Sequence, residues 1–262
     1  MREMFSNVYV LSTGPRDGSW NMGFDRSLMQ AFISGDFEKR FGRGAAVWRF
    51  YSWEPMALSL GYSQSDAVID RERCHALGID IVRRPTGGRA VLHADEITYS
   101  FHAPLCVSHH EIYRMVHEVL QAALSMIGVD ARFCRSAPSF RARYRKQESV
   151  SCFTASARYE LQVAGRKVVG SAQRMAAGIV LQHGSLLLSS AHRMLSDLLL
   201  CNERDSAAVV RDELQSRTAS VEEITGSRPS YETMFCLMRR ALERNWGIDT
   251  IELSYEEIEA LF

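Results

Sequence analysis

Tyr159-Glu160-Leu161-Gln162-Val163-Ala164-Gly165-Arg166-Lys167-Val168-Val169-Gly170-Ser171-Ala172-Gln173 is the stretch whose reading decides the fold. Two strand-like runs flank a two-residue Ala164-Gly165 turn, which is the spacing of an antiparallel hairpin. Ser151-Cys152-Phe153 lies just upstream, and the second run carries Lys167. Paired strands around such a turn can bring Cys152 and Lys167 back toward each other. An ammonium beside a thiol favours the thiolate, the form that attacks acyl groups. The plain alternative is a small buried hydrophobe, the usual fate of a lone cysteine.

Outward from the hairpin, further strand-like runs cover residues 46–51, 56–60, 79–83, 97–103, 158–163, 167–172 and 185–188. Their spacing points to mixed, largely antiparallel sheet. Helices are marked by caps. Ser108-His109-His110-Glu111 is a capping box, and Ile112, Met115, Val116, Val119, Leu120, Ala123 and Met126 then recur at helical spacing until Gly128. A second helix runs from Ser230 through Met234, Leu237, Met238 and Leu242 to Gly247, and a short one opens at Ser254 with Glu257 completing its box. The class is α+β. A catalytic core over residues 1–188 carries a helical C-terminal segment over 189–262, packed on it as one unit.

The chain has 262 residues, enough for one large domain, or one with a small appendage. Its 31 basic and 31 acidic residues balance, which argues against a general nucleic-acid binder. A local basic run, Arg141, Arg143, Arg145 and Lys146, reads either as a solvated loop or as a docking patch for an acidic carrier protein. Six cysteines without CxxC spacing speak against zinc and against a disulfide scaffold. There is no signal-peptide core and no run of membrane-spanning length, so a reducing cytoplasm is the expected setting. A monomer without metal or cofactor is expected, since no HExxH or Cys/His cluster occurs.

A second motif is Arg83-Arg84-Pro85-Thr86-Gly87-Gly88-Arg89-Ala90-Val91-Leu92-His93. Adjacent glycines after a strand-like run let backbone approach a ligand closely. Arg84 and Arg89 flank them and can grip phosphate or carboxylate. The plain alternative is a tight turn with solvated arginines. The loop matches neither the Walker A nor the dinucleotide fingerprint. His93, after this loop, and His183, before Gly184, are each a candidate proton shuttle or a structural histidine. Trp48, Phe50, Tyr51, Trp53 and Met56 read as core, with an acyl slot as the alternative.

The Arg-Arg-x-x-Gly-Gly-Arg-Ala-Val-x-His run, the Gly165–Gln173 run and Gln182-His183-Gly184-Ser185-Leu186-Leu187 together resemble the lipoate-protein ligase and octanoyltransferase superfamily. Within it, Ser-Cys-Phe followed by Tyr-Glu-Leu resembles the LipM-type octanoyltransferase branch. The resemblance spans residues 21–188. It implies a biotin/lipoate ligase-like fold and a cysteine enzyme. Such enzymes take octanoyl from octanoyl-acyl carrier protein and pass it to a lysine of a lipoyl domain, typically glycine cleavage H protein. Carried over position by position, it implies Cys152 and Lys167 as catalytic. It implies Arg84, Gly87, Gly88, Arg89 and His93 as substrate-binding, with Gly170, Ser171, Ala172, Gln173, His183 and Gly184. Backbone amides around Gly170-Ser171-Ala172 are the candidate oxyanion donors.

The chain departs from the family pattern at Arg26, where an acid is usual, and at Ala94, where aspartate is frequent. Three rival readings remain. One is an ATP-dependent lipoate-protein ligase, with Arg84 and Lys167 holding phosphate and carboxylate. Another is an amidotransferase between lipoyl domains, although the cysteine of that branch sits in a Tyr-Cys-Pro-Gly context. The third is an inert acyl-carrier binding module. Cys152 speaks against the ligase, and Cys152 with Lys167 against the inert module.

Overall fold

The computed structural model describes residues 4–134, 160–200 and 207–262. The expected hairpin is present. Strand β8 (Leu161–Val163) pairs antiparallel with β9 (Arg166–Lys167), Gln162 facing Lys167. Ala164 and Gly165 both have positive φ, the signature of the two-residue turn whose twist matches the flanking strands. The run 167–172, read as one strand, is divided. The Val168 amide donates to the Leu161 carbonyl, while its own carbonyl accepts from Leu187. The chain therefore changes sheets at this residue and continues as β10 (Val169–Ala176).

The main sheet has six strands in the order β10-β11-β6-β2-β1-β12. These are β1 (Val8–Arg16), β2 (Ala46–Trp53), β6 (Glu96–Pro104), β10, β11 (Ile179–Leu187) and β12 (Ile251–Glu252). β1 runs parallel to β2 and β12, and the remaining pairs are antiparallel. A small sheet of β3 (Ala57–Leu60), β4 (Asp80–Arg83) and β5 (Val91–His93) lies in the order β4-β3-β5. A third holds β7 (Arg132–Phe133), β8 and β9.

Helix α1 (Gly18–Ser34) starts at Asp17, whose carboxylate accepts from the Trp20 amide, and ends at a left-handed Gly35. It packs on β6 and β11. The opposite face of the main sheet buries Trp48, Phe50, Tyr99 and Phe101 against α4 (His109–Ser125) and the long helix Tyr231–Trp246, and this is the principal core. Alternation along the strands separates the two faces. Trp48 and Phe50 point to that core, whereas Tyr51 and Trp53 point the other way. The segment after residue 189 is not solely helical, because its β12 extends the main sheet beside β1. Among the described residues no helix is long and apolar enough to cross a membrane.

Candidate active site

A slot opens between the α1 side of the main sheet and the small sheet. Tyr51, Trp53 and Thr98 form one wall, Arg84, Val91 and His93 another, and Gly170–Ala172 with His183–Ser185 the floor. The three runs of the resemblance therefore meet here. Gly87, Gly88 and Arg89 belong to the loop that borders the slot. Gly88 has φ +103°, and a side chain at Gly61 would run into its carbonyl, so the loop rests directly on backbone.

Arg84 is buried and its guanidinium holds this loop closed. Nε and Nη2 donate to the Gly87 carbonyl, Nη2 also to that of Arg89, and Nη1 to the carbonyl and hydroxyl of Ser59. The sequence suggested a guanidinium offered to an anion, but here its donors shape the loop. Behind it, Ser59 Oγ lies 2.7 Å from His93 Nε2, and His93 Nδ1 lies 2.8 Å from Glu96 Oε1. Arg84 donates to Ser59, so the Ser59 hydroxyl passes its own hydrogen to His93, and His93 donates to Glu96. Thr98 and Ser185 hydroxyls also donate to Glu96 Oε1, and Trp53 stacks on His93 at 4.1 Å. The Ser-His-Glu order matches a hydrolase triad, but Ser59 is fully buried and does not line the slot, so the relay fixes Arg84.

His183 is fixed from a second direction. Its Nε2 lies 2.6 Å from Thr86 Oγ1, and its Nδ1 3.4 Å from Asp25 Oδ2. Asp25 is fully buried and also accepts from Arg49 Nη1 at 2.8 Å, from Tyr51 and from Ser100. Burial alone would raise the Asp25 carboxyl. The Arg49 guanidinium and the His183 and His102 imidazoles outweigh it and hold the group well below the carboxylate range. Burial lowers His183, so the imidazole is neutral, donating from Nδ1 and accepting the Thr86 hydroxyl at Nε2.

A third network lies on the other face of the same strands. Ser171, Gly184 and Tyr99 stand opposite one another across β10, β11 and β6. Lacking a side chain, Gly184 lets Tyr99 Oη reach 2.7 Å from Ser171 Oγ. A Cβ at Gly184 would lie 2.5 Å from the Gly170 carbonyl and 2.9 Å from Tyr99 Cε1. His117 Nδ1 donates to the Tyr113 carbonyl at 2.8 Å, leaving Nε2 to accept from Ser171, 3.2 Å away. Gln182 donates to Tyr99 Oη, and Gln173 to Gln182 Oε1 and the His109 carbonyl. The chain of hydrogens therefore runs one way, from Gln173 to Tyr113. Burial drops His117 to about 3, with the Lys167 charge adding to the effect.

Lys167 does not line the slot. Its Nζ lies 2.6 Å from Glu160 Oε1, and both side chains are buried. Cys152 and the basic run Arg141, Arg143, Arg145 and Lys146 lie outside the described residues. Burial raises the thiols of Cys74 and Cys106, so neither has the lowered pKa of an activated nucleophile.

Backbone polarity along β10 follows from the register. Leu187 donates to Val168, and Leu188 to Asp95 on the other side. Alternation then directs the amides of Gly170 and Ala172 at β11 and turns that of Ser171 outward. Among the described residues no strand pairs along that outer edge.

Sequence reasoning missed Asp25, Arg49, Glu96, Tyr99 and His117. A charged Arg49 inside the apolar run 46–51, and a histidine beside the apolar stripe of α4, were the available signals.

A model of the lipoyl protein ligase A/B catalytic domain matches residues 17–243. Octanoyltransferase LipM of Exiguobacterium sibiricum is 37% identical over 267 residues, covering 98% of this chain and 91% of its own. Octanoyltransferase LipM of Kyrpidia tusciae is 36% identical, covering 95% of this chain and 92% of its own. The structure is also similar to a bi-partite lipoate protein ligase from Thermoplasma acidophilum, with a TM-score of 0.75 at 21% identity, over 97% of this chain and 90% of that one. This last likeness speaks to fold.

Proposed function

The chain belongs to the lipoyl protein ligase A/B catalytic domain family, and on that premise we propose that it is an octanoyltransferase of lipoate biosynthesis. It takes octanoyl from octanoyl-acyl carrier protein onto Cys152 and delivers it to a lysine of a lipoyl domain, that of glycine cleavage H protein. The observation that carries this reading is the 36–37% identity, over nearly the whole chain, to relatives named octanoyltransferases. It acts as a monomer in the cytoplasm, where a thiol stays reduced.

The Cys152 thiolate attacks the thioester carbonyl, and a carbon–sulfur bond forms. The tetrahedral oxyanion is met by the outward Ser171 amide, then collapses and expels the carrier thiolate, which takes a proton. The acceptor lysine, as neutral amine, attacks the acyl-cysteine. The amide forms, the Cys152 thiolate leaves and the ammonium proton passes to it or to solvent. Thioester to thioester is near isoenergetic, and thioester to amide is downhill, so no nucleotide is needed. Lys167 supplies the positive charge that favours the thiolate.

Intact-mass spectrometry after mixing with octanoyl-acyl carrier protein, without ATP, tests this. One octanoyl mass labile to hydroxylamine is expected, absent in Cys152→Ser. Full transfer by Cys152→Ser overturns the thioester. Strict dependence on ATP and octanoate, with the carrier thioester ignored, makes the chain a ligase.

A further inference from the structure

The rim of the slot carries positive charge that no ion pair among the described residues offsets. Arg26 donates to the Arg83 carbonyl, Arg83 to the carbonyls of Gly61, Tyr62 and Gln64, and Arg174 to that of Pro85. Among the described residues none of these three guanidiniums takes part in an ion pair, whereas Arg71, Arg114, Arg132, Arg211 and Arg228 each pair with a carboxylate. Asp66 lies within the field of Arg83 but is itself bonded to Arg71. Backbone carbonyls thus orient the three arginines without neutralising them.

All three are tied to the slot. Arg26 is one helical turn from Met22, Arg83 precedes Arg84, and Arg174 is two residues beyond Ala172, and Met22, Arg84 and Ala172 are slot residues. One exposed aromatic ring stands among them. Tyr62 is 60% exposed, and the Arg174 guanidinium sits 5.1 Å from its ring centroid. Guanidiniums that make no ion pair among the described residues, set around an exposed aromatic ring, form a surface complementary to an acidic protein face.

We propose that this rim, Arg26, Arg83 and Arg174 with Tyr62, is the docking surface for the acidic carrier protein that delivers the acyl thioester, which rests on the reading that the acyl group arrives protein-borne. A donor inserts its chain into the slot, so its protein body must stop at the mouth, where these residues stand. The acceptor lysine needs only the thioester carbon.

The test compares wild type with Arg26→Glu and Arg174→Glu, whose side chains cross-link fewer loops than that of Arg83. Octanoyl-acyl carrier protein and protein-free octanoyl-pantetheine serve as donors. Each substitution should raise the KM for the carrier donor about tenfold and flatten its dependence on salt, with kcat and octanoyl-pantetheine kinetics unchanged. Binding of unacylated holo carrier, read by fluorescence anisotropy, should weaken in proportion. Unchanged carrier KM and binding overturn the proposal. So does an equal loss with both donors, which signals a damaged slot, or a rise confined to the lipoyl-domain KM, which assigns the rim to the acceptor. Wild type that binds carrier at the rim yet transfers from neither donor refutes the octanoyltransferase reading and the delivery role with it.

Discussion

Lys167 Nζ lies 2.6 Å from Glu160 Oε1 across the hairpin, with 2% and 3% of the two side chains exposed. The ammonium proposed to activate a thiolate thus shares a buried site with a carboxylate. Removing one partner leaves the other buried without its ion pair. Lys167→Ala should cost about 3–5 kcal/mol of stability, read by urea denaturation. Lys167→Met combined with Glu160→Leu should recover most of that loss without recovering transfer. Recovered transfer in the double variant would confine Lys167 to holding the hairpin.

Ser171 and His117 make a separable prediction. His117 acts through Ser171, as a positioning residue. His117→Leu removes the acceptor of the Ser171 hydrogen and should lower kcat about tenfold, one hydrogen bond's worth, with the donor KM unchanged. His117→Gln keeps an acceptor and should restore most of the rate. Equal activity of both variants would remove His117 from the site.

Stability should fall steeply in mild acid. Burial holds His102 and His192 at about 4 and His117 at about 3, and lowers His183. Each binds its proton more readily when unfolded. Their contribution is therefore complete above the ordinary histidine value of about 6.5 and is lost as pH drops below it. The slope approaches about 1.4 kcal/mol per pH unit for each histidine that takes part. Asp25, held low when folded, adds to the loss only below the ordinary carboxylate value of about 3.9. A urea midpoint that stays flat from pH 7 to pH 5 would contradict this.

The glycines of the site should respond unequally. Gly184→Ala meets the Gly170 carbonyl and the Tyr99 ring and should cost about 1–3 kcal/mol while breaking the Tyr99–Ser171 bond. Gly88→Ala is strained at φ +103° and should cost about 1–3 kcal/mol. A Cβ at Gly87 meets nothing within 4 Å, so Gly87→Ala should stay within about 0.5 kcal/mol. Equal midpoints for all three would refute the packing argument.

Local signals explain what was legible. Ala164-Gly165 announced the hairpin because positive φ at both positions has few sequence solutions, and Ser108 and Ser254 announced helices by their caps. The break at Val168 was invisible, because nothing in a run of valines says which of two sheets each amide joins. The partners of Arg84 and Lys167 were invisible for a related reason. Sequence shows a cation, but only the fold shows that Gly87 and Arg89 carbonyls, or the Glu160 carboxylate, occupy it first. The Asp25–Arg49–His183 network joins residues 158 positions apart and has no local signature.

Strand β11 serves both networks with consecutive residues: His183 faces Asp25, and Gly184 lies under the Tyr99–Ser171 contact. Insertion of one residue upstream within β11 would put the His183 imidazole where only a hydrogen fits, and deletion of one would put the bare Gly184 beside Asp25. The strand should therefore accept single substitutions at outer positions such as Ile179 yet reject every change of length, a pattern that a deep insertion–deletion scan would display as a gap spanning residues 180 to 186.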